Sequence, residues 1–390
     1  MSRVCIPDSE YATRLKKCVE MMQEQNLDVM IVNGTESDYA NPRYFCGFWP
    51  LFERVGVAIA ANGNAAVMVG PESVIFAGDV SRIKRIYPCL YYREGANPSY
   101  PEIKTNTYND VLEDLGVKGK NIRIGIGGYM ETTVVMMDGL KECYPEAEIV
   151  NADHIMVSLR KIKSDNEIAC IREGFRIVEI ATQEVIKALH PGVTELQMVG
   201  VAQKTIYENG AEYEGLPMYV FSEKSTSHAI SRSSYRTIEK GDLVQLNLSA
   251  KIDGYSPAIG IPVGMGKFSP EKRELVDFCL EAHKWTEKQL KAGVMASEVA
   301  KGFYQFFKDS GHLDNYVYGP CHGTGMIEVE APWMETTSDY LLQPNMTFQI
   351  DTFASGPKFG LRWEKGVTIT KDGFESNCNP IDNVIYELDF

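Results

Sequence analysis

Three segments in the second half of the chain carry side chains that together suit a hydrolysis: CHGTGMIEVEAPW, FQIDTF and GLRWEKGVTI. They supply one imidazole, two carboxylates and a guanidinium, namely His322, Asp351, Glu364 and Arg362. Hydrolysis without a metal needs a base for water, an acid for the leaving nitrogen and donors for the developing charge. We therefore predict Glu364 or Asp351 as the base and His322 as the acid or electrostatic partner. Asn247, in LVQLNLSA, is the predicted orienting donor.

Each of these residues also has a structural interpretation. Arg362 and Glu364 are two positions apart on a predicted strand and share a face, so they could form a buried ion pair. His322 could be a satisfied core histidine, although Gly323 and Gly325 beside it leave room for a ligand. The sequence leaves these alternatives open.

The chain divides into two predicted domains. Residues 1–155 alternate helix and strand patterns, which is typical of an α/β domain. Residues 156–390 begin with an amphipathic helix opened by the capping box Ser164–Glu167 and continue with helices and strand hairpins, an α+β pattern. Within that domain, residues 186–210 align without a gap on residues 287–311, and we predict an internal duplication.

The composition narrows the class of protein. A net charge of −14 argues against a nucleic-acid partner, because no basic surface is available to neutralise phosphates. The N-terminus has no apolar h-region and no apolar run could span a bilayer, so we expect no signal peptide and no membrane association. The nine cysteines are scattered and never form a CxxC pair, which favours free thiols in the cytoplasm.

Two motifs resemble those of a known family. RKIKSDNEI (160–168) is similar to the segment that leads into the catalytic domain of the pita-bread enzymes, and NPRYFCGF (41–48) is similar to their N-terminal N-x-R-Y-x-x-G-F. This family includes prolidase, aminopeptidase P, methionine aminopeptidase and creatinase. The resemblance covers essentially the whole chain. It implies a creatinase-like α/β N-terminal domain and an α+β pita-bread C-terminal domain with internal duplication.

The resemblance also implies where a metal site would lie. The family's metallopeptidases hold two ions with Asp, Asp, His, Glu and Glu, in that order, and the corresponding residues here are Asn247, Ala258, His322, Asp351 and Glu364. Paired cations need bridging carboxylates, which an amide and a methyl group do not supply. We therefore predict no cofactor, with a single divalent metal on His322, Asp351 and Glu364 as the alternative.

Creatinase, the family member that works without metal, resembles this chain in two places. Its first-strand motif also has Asn at the position of Asn247, and its carboxylate-binding F-x-R corresponds to Phe52 and Arg54, which would act in a neighbouring subunit's site. The resemblance fails where Ile230 replaces the catalytic histidine and Gly260 replaces a glutamate. The substrate is therefore not expected to be creatine.

We predict a homodimeric, metal-independent hydrolase of a C–N bond in a small carboxylate-bearing compound. The predicted substrate-binding residues are Phe52, Arg54, His228, Glu330, Trp333 and Arg362. His228 lies in a Ser-rich segment that suits either a lid or a solvated turn. Trp333 belongs to a predicted aromatic pocket lining, with core packing as the alternative. The alternatives are an Xaa-Pro dipeptidase or aminopeptidase P-type metallopeptidase with a mononuclear site, a lyase, and a non-catalytic small-molecule-binding protein.

Overall fold

The computed structural model describes residues 3–378 and 383–390, which form two compact units. One unit is Ile6–Arg160. The other is Lys161–Phe390, with which the residues before Ile6 are grouped. Every helix in these described ranges is either too short or too polar to cross a bilayer.

The N-terminal unit contains a six-stranded mixed sheet. Its strands are β1 Val29–Gly34, β2 Val55–Ala60, β3 Ala65–Val69, β4 Ile86–Pro88, β5 Arg123–Gly127 and β6 Glu148–Asn151. Its helices are α1 Asp8–Glu24, α2 Ala40–Cys46, α3 Val74–Val80, α4 Tyr108–Asp114, α5 Val134–Cys143 and α6 Asp153–Arg160. The strand order is β4-β3-β2-β1-β5-β6. Every residue of β1 and β2 is buried, as expected for strands covered on both faces.

The C-terminal unit is organised around a nine-stranded sheet. Its helices are α7 Asp165–Ala188, α8 Glu195–Glu208, α9 Pro270–Glu287 and α10 Ala296–Asp309. Its strands are β7 Tyr219–Ser222, β8 Leu243–Ser249, β9 Ala258–Gly264, β10 Cys321–Gly323, β11 Glu330–Met334, β12 Thr347–Ser355, β13 Gly360–Ile369, β14 Phe374–Ser376 and β15 Tyr386–Glu387. The main path runs β11-β10-β12-β13-β9-β8-β7, with β14 paired to β13 and β15 paired to β9.

The helix pairs α7–α8 and α9–α10 have the local features that the sequence predicts. The Ser164 hydroxyl accepts from the backbone N–H of Glu167, and the Glu167 carboxylate accepts from the backbone N–H of Ser164, which forms the predicted capping box of α7. The turn within each pair contains a glycine with positive φ, 101° for Gly192 and 85° for Gly293. Because this conformation favours glycine, the two turns match in sequence as well as in shape.

His283 is a fully buried residue of α9, which packs against β12 and β13. Its Nδ1 lies 3.4 Å from the hydroxyl of Thr352, and its Nε2 lies 4.0 Å from a carboxylate oxygen of Glu287. Burial, followed by the charge of Lys365, lowers the pKa of His283 to about 3. The imidazole is therefore neutral in the folded protein at neutral pH.

We expect His283 to destabilise the protein as the pH falls. A histidine in the unfolded chain has a pKa of about 6.5, so below that pH the unfolded state binds a proton that the folded state does not. The charges of Glu364 and Glu287 favour protonation in the folded state, but burial and the charges of Lys284 and Lys365 outweigh them. Between pH 7 and pH 5 the wild type should therefore lose about 2 kcal/mol more unfolding free energy than His283→Gln. Urea unfolding at both pH values measures this difference, and the same pH dependence in both proteins would contradict it.

Candidate metal centre

Neighbouring strands of the C-terminal sheet bring polar side chains to one face. Asn247 on β8 lies opposite Gly260 on β9, and Gly260 lies opposite Glu364 on β13. Glu364 in turn lies opposite Asp351 on β12. Because residues directly opposite each other in a ladder project to the same side of a sheet, these three polar side chains share a face. All three are buried.

His322 on β10 adds an imidazole to this face. It lies opposite Gln349, two residues before Asp351, so its side chain projects to the same side. Its Nε2 lies 3.7 Å from Glu364, 3.8 Å from Glu328 and 4.0 Å from Asp351. One buried nitrogen is therefore surrounded by three carboxylates.

The other ring nitrogen of His322 determines the tautomer. Its Nδ1 lies 2.9 Å from the carbonyl oxygen of Gly323, which can only accept, so Nδ1 carries a hydrogen. Nε2 is thus the atom that faces the carboxylates. Burial lowers the pKa of His322, but the negative charge of Glu328 and the interaction with Glu364 outweigh it and raise the pKa to about 9. These surroundings favour a positive charge at this point of the sheet.

The two glutamates next to His322 have opposite pKa shifts. Burial, followed by the charge of Glu364, raises the pKa of Glu328 well above its usual value. Burial also opposes ionisation of Glu364, yet the interaction with His322 and the charge of Arg362 lower its pKa to about 2. Glu364 is therefore ionised, whereas Glu328 needs a compensating positive charge to ionise.

Asp351 has two partners of its own. Its Oδ1 lies 2.9 Å from Nε of Arg362, and the hydroxyl of Tyr318 donates to its Oδ2 at 2.7 Å. Arg362 also donates to the hydroxyl of Tyr318 and to the carbonyl of Ala229. Burial raises the pKa of Asp351, and the charge of Arg362 opposes that shift. Asp351 thus belongs to an Asp–Arg–Tyr network beside the imidazole.

The amide of Asn247 has an unused acceptor. Its Oδ1 is buried and has no hydrogen-bond partner among the described residues. It lies beside Glu364, because a Cβ added to Gly260 would be 2.5 Å from this oxygen and 2.8 Å from the Cβ of Glu364. Leaving a buried amide oxygen unpaired is costly, so the position suits a ligand. Ala258, two residues before Gly260, offers only a methyl group.

Trp333 and Glu330, both on β11, have different surroundings. Trp333 lies opposite His322, and the two ring centroids are 5.3 Å apart. The carboxylate of Glu330 instead pairs with the buried ammonium of Lys163 at 2.8 Å. The structure therefore brings Trp333 to the imidazole and gives Glu330 a structural partner.

The remaining predicted residues lie in other surroundings. His228 is exposed after the short 3₁₀ helix that precedes it, and its Nδ1 lies 3.2 Å from the hydroxyl of Ser231. Phe52 and Arg54 belong to the N-terminal unit. Phe52 is 75% exposed and has a φ of 60°. Arg54 donates to the carbonyl of Arg93 at 3.0 Å.

Two residues of the site were missed by sequence reasoning, Glu328 and Tyr318. Glu328 lies in the loop between β10 and β11, where no periodicity indicates which acid of GMIEVEAP faces the imidazole. The sequence signal that could have indicated Glu328 is its spacing from Glu330, since the two acids of this segment are two positions apart. Tyr318 precedes β10, and its contact with Asp351 depends on how that segment folds back onto β12.

Comparison with known families identifies the class of protein. Residues 169–371, more than half of the chain, match the model of metallopeptidase family M24, and residues 14–162 match the Creatinase/Prolidase N-terminal domain. The chain therefore belongs to metallopeptidase family M24. This membership confirms the predicted superfamily, the predicted two-domain fold class and the prediction of a hydrolase that acts on C–N bonds.

Individual relatives extend the similarity over nearly the whole chain. The chain is 26% identical over 363 residues to the Xaa-Pro dipeptidase of Pyrococcus furiosus, with 92% of this chain and 96% of that protein covered. Similar solved structures include a prolidase from Thermococcus sibiricus, with a TM-score of 0.83, 19% identity and coverage of 96% and 99%. An X-Pro aminopeptidase from Thermotoga maritima has a TM-score of 0.81, 21% identity and coverage of 95% and 99%. At such identities the structures demonstrate a shared fold.

The prediction of no cofactor, and with it of a metal-independent site, is wrong. The family is one of metallopeptidases, and the ligand atoms of His322, Glu328 and Glu364 all lie within 4.8 Å of one another. An imidazole with two carboxylates fits a divalent cation, and the unpartnered Oδ1 of Asn247 adds a neutral oxygen beside them. The prediction failed because it considered only positions aligned with the family's ligands, and Glu328 is not one of them.

Proposed function

We propose that the protein is a metal-dependent peptidase that hydrolyses the C–N bond before proline in small Xaa-Pro dipeptides with a free carboxylate. The observation that carries this proposal is the buried set of His322, Glu328 and Glu364, which suits a divalent cation. Similarity to an Xaa-Pro dipeptidase over 92% of the chain supports the substrate class.

In this proposal the bound cation supplies Lewis-acid polarisation of the scissile carbonyl. Asp351 accepts the proton of the attacking water and returns it to the departing proline nitrogen, since its carboxylate lies 4.0 Å from Nε2 of His322 and has a fixed orientation. The guanidinium of Arg362 forms an ion pair with one oxygen of Asp351, and the hydroxyl of Tyr318 donates a hydrogen bond to the other. A base positioned in this way contributes about 10²- to 10⁴-fold to the rate.

Two further side chains bind substrate in this scheme. The indole of Trp333 lies beside His322 and offers an apolar wall for a proline ring. The unpartnered Oδ1 of Asn247 accepts a hydrogen bond from the substrate amine. Both roles use groups that the protein itself leaves available to a ligand.

A dipeptide panel tests the proposal. With protein loaded with Mn²⁺ or Co²⁺, we expect release of proline from Ala-Pro and Met-Pro, little turnover of Ala-Ala, and a large loss when the proline carboxylate is amidated. A chelator should abolish the activity. The proposal fails if the loaded protein hydrolyses none of the Xaa-Pro dipeptides.

A second candidate is hydrolysis of a C–N bond in a small non-peptide amide or guanidino compound. It is favoured by Asn247 and Ala258, which stand where the family's metallopeptidases are expected to have acids. The same assay, extended to release of amine or ammonia from such compounds, separates the two candidates. Thermal stabilisation by a compound without any product would instead indicate a binding protein.

We also propose a cytoplasmic homodimer in which the segment of Phe52 and Arg54 reaches the site of a partner subunit, where Arg54 contacts the substrate carboxylate. An exposed phenylalanine with positive φ is a strained arrangement of the kind that often accompanies function. The nine cysteines, all in the described part of the chain, form no disulfide, which suits a reducing compartment. Light scattering tests the dimer, and a fully active monomer would contradict this role.

A further inference from the structure

We propose that this centre binds one divalent cation per chain on His322, Glu328 and Glu364, and that Asp351 is not a ligand. The inference rests on the metal dependence of the proposed function and adds the donors and the stoichiometry. It departs from the family's paired-ion arrangement, in which the position of Asp351 supplies a ligand and that of Glu328 does not.

The spacing of the three donors suits a single ion. Two ligand atoms that are each about 2.1 Å from an ion lie about 3.4 Å apart at a tetrahedral angle. Nε2 of His322 lies 3.8 Å from Glu328 and 3.7 Å from Glu364, too far for hydrogen bonds but close to that spacing. The contact of Nδ1 with the Gly323 carbonyl leaves Nε2 as the ligating atom.

Asp351 is excluded from the proposed ligands because its carboxylate already has two other partners. One of its oxygens lies 2.9 Å from Nε of Arg362, and the other accepts from the hydroxyl of Tyr318 at 2.7 Å. A carboxylate that balances a guanidinium offers less negative charge to a cation, and turning toward the imidazole would break both contacts. Its approach to Nε2 of His322, 4.0 Å, is also the longest of the three.

Among the described residues of this face, a second ion would lack anionic donors. The two glutamates balance the charge of one dication, and Arg362 already balances Asp351. The next positions on the same face, Asn247 and Ala258, are a neutral amide and a methyl group. Two cations held about 3.5–4 Å apart repel unless anions bridge them. The neutral oxygen of Asn247, which the proposed function assigns to the substrate amine, cannot by itself hold a second ion.

The stoichiometry is measured on the full chain after removal of metal by a chelator. Titration with Co²⁺, followed by visible absorption and calorimetry, should saturate at one ion per chain, and elemental analysis after gel filtration should agree. Protein loaded with Mn²⁺ should give the EPR spectrum of an isolated ion. Two tightly bound ions, a spin-coupled Mn²⁺ pair or no binding would overturn the inference.

Two matched variants test the donors, because each replaces a buried carboxylate of the same centre by an amide of equal size. We expect Glu328→Gln to weaken Co²⁺ binding by more than about 100-fold and Asp351→Asn by less than about 10-fold. The reverse order overturns the assignment. Melting temperatures show whether each variant folds. If Glu328→Gln does not fold, the result for Asp351→Asn decides: one retained ion supports the assignment, and loss of the ion contradicts it.

These outcomes separate the inference from the proposed function. One bound ion with no turnover of any dipeptide contradicts the function and leaves the donor assignment intact. Dipeptide turnover by a protein that holds two ions contradicts the assignment and leaves the function intact.

Discussion

Glu364→Gln is expected to lower kcat/KM for Ala-Pro by about 10³-fold or more, which corresponds to about 4 kcal/mol of transition-state free energy. Glu364 is buried, ionised and adjacent to the imidazole of His322. Glutamine has nearly the same size, so the substitution removes the charge without leaving a cavity. Steady-state kinetics at saturating Mn²⁺ measure the effect, so that weaker metal binding alone does not account for it.

Glu375→Gln on β14 is the matched control for this variant. Glu375 is exposed and pairs with Arg172 at the surface, where ion pairs contribute little. We expect its kcat/KM to remain within about twofold of the wild type. If Glu364→Gln retains more than a tenth of the wild-type kcat/KM, its carboxylate is not part of the catalytic centre.

Glu330→Gln is expected to lower the melting temperature by about 6 to 12 °C. The side chains of Lys163 and Glu330 are 2% and 6% exposed and lie 2.8 Å apart. Removing one partner of a buried ion pair costs about 3 kcal/mol or more, and each kcal/mol shifts the melting temperature by about 2–4 °C in a domain of this size. Differential scanning calorimetry measures the change.

Glu298→Gln on α10 provides the comparison for a solvated ion pair. Glu298 pairs with Lys301 in an i, i+3 arrangement, and both side chains are more than half exposed. Its removal should change stability by less than about 0.5 kcal/mol. Small and equal shifts in both variants would contradict a structural role for Glu330. An unchanged melting temperature with a raised KM would instead support the predicted substrate-binding role.

The fold was more predictable from the sequence than the site was, because its signals act over short distances. Capping requires residues three positions apart, so Ser164 and Glu167 were enough to predict the start of α7. The glycines Gly192 and Gly293 occupy equivalent turns with positive φ, and this local requirement made the duplication visible. Neither inference needed any knowledge of which strands pair.

Prediction of the site was uneven for the same physical reason. His322, Asp351 and Glu364 lie on strands, where alternation assigns side chains to faces, so they could be grouped in advance. Glu328 lies in a loop, and its approach to the imidazole follows from a backbone path that no periodicity encodes. Alternation also suggested an ion pair between Arg362 and Glu364. In the structure the guanidinium instead pairs with Asp351 on the neighbouring strand.

The lack of a side chain at Gly260 limits how this scaffold could change its chemistry. A Cβ there would lie 2.5 Å from Oδ1 of Asn247 and 2.8 Å from the Cβ of Glu364, well inside van der Waals contact. The glutamate that creatinase has at this position therefore cannot be added without a shift of its neighbours: the amide of Asn247, which creatinase shares, would have to rotate away, and β13 would have to move back from β9. Evolution toward guanidino hydrolysis would thus require the backbone around Gly260 to adjust as well as the residue to change.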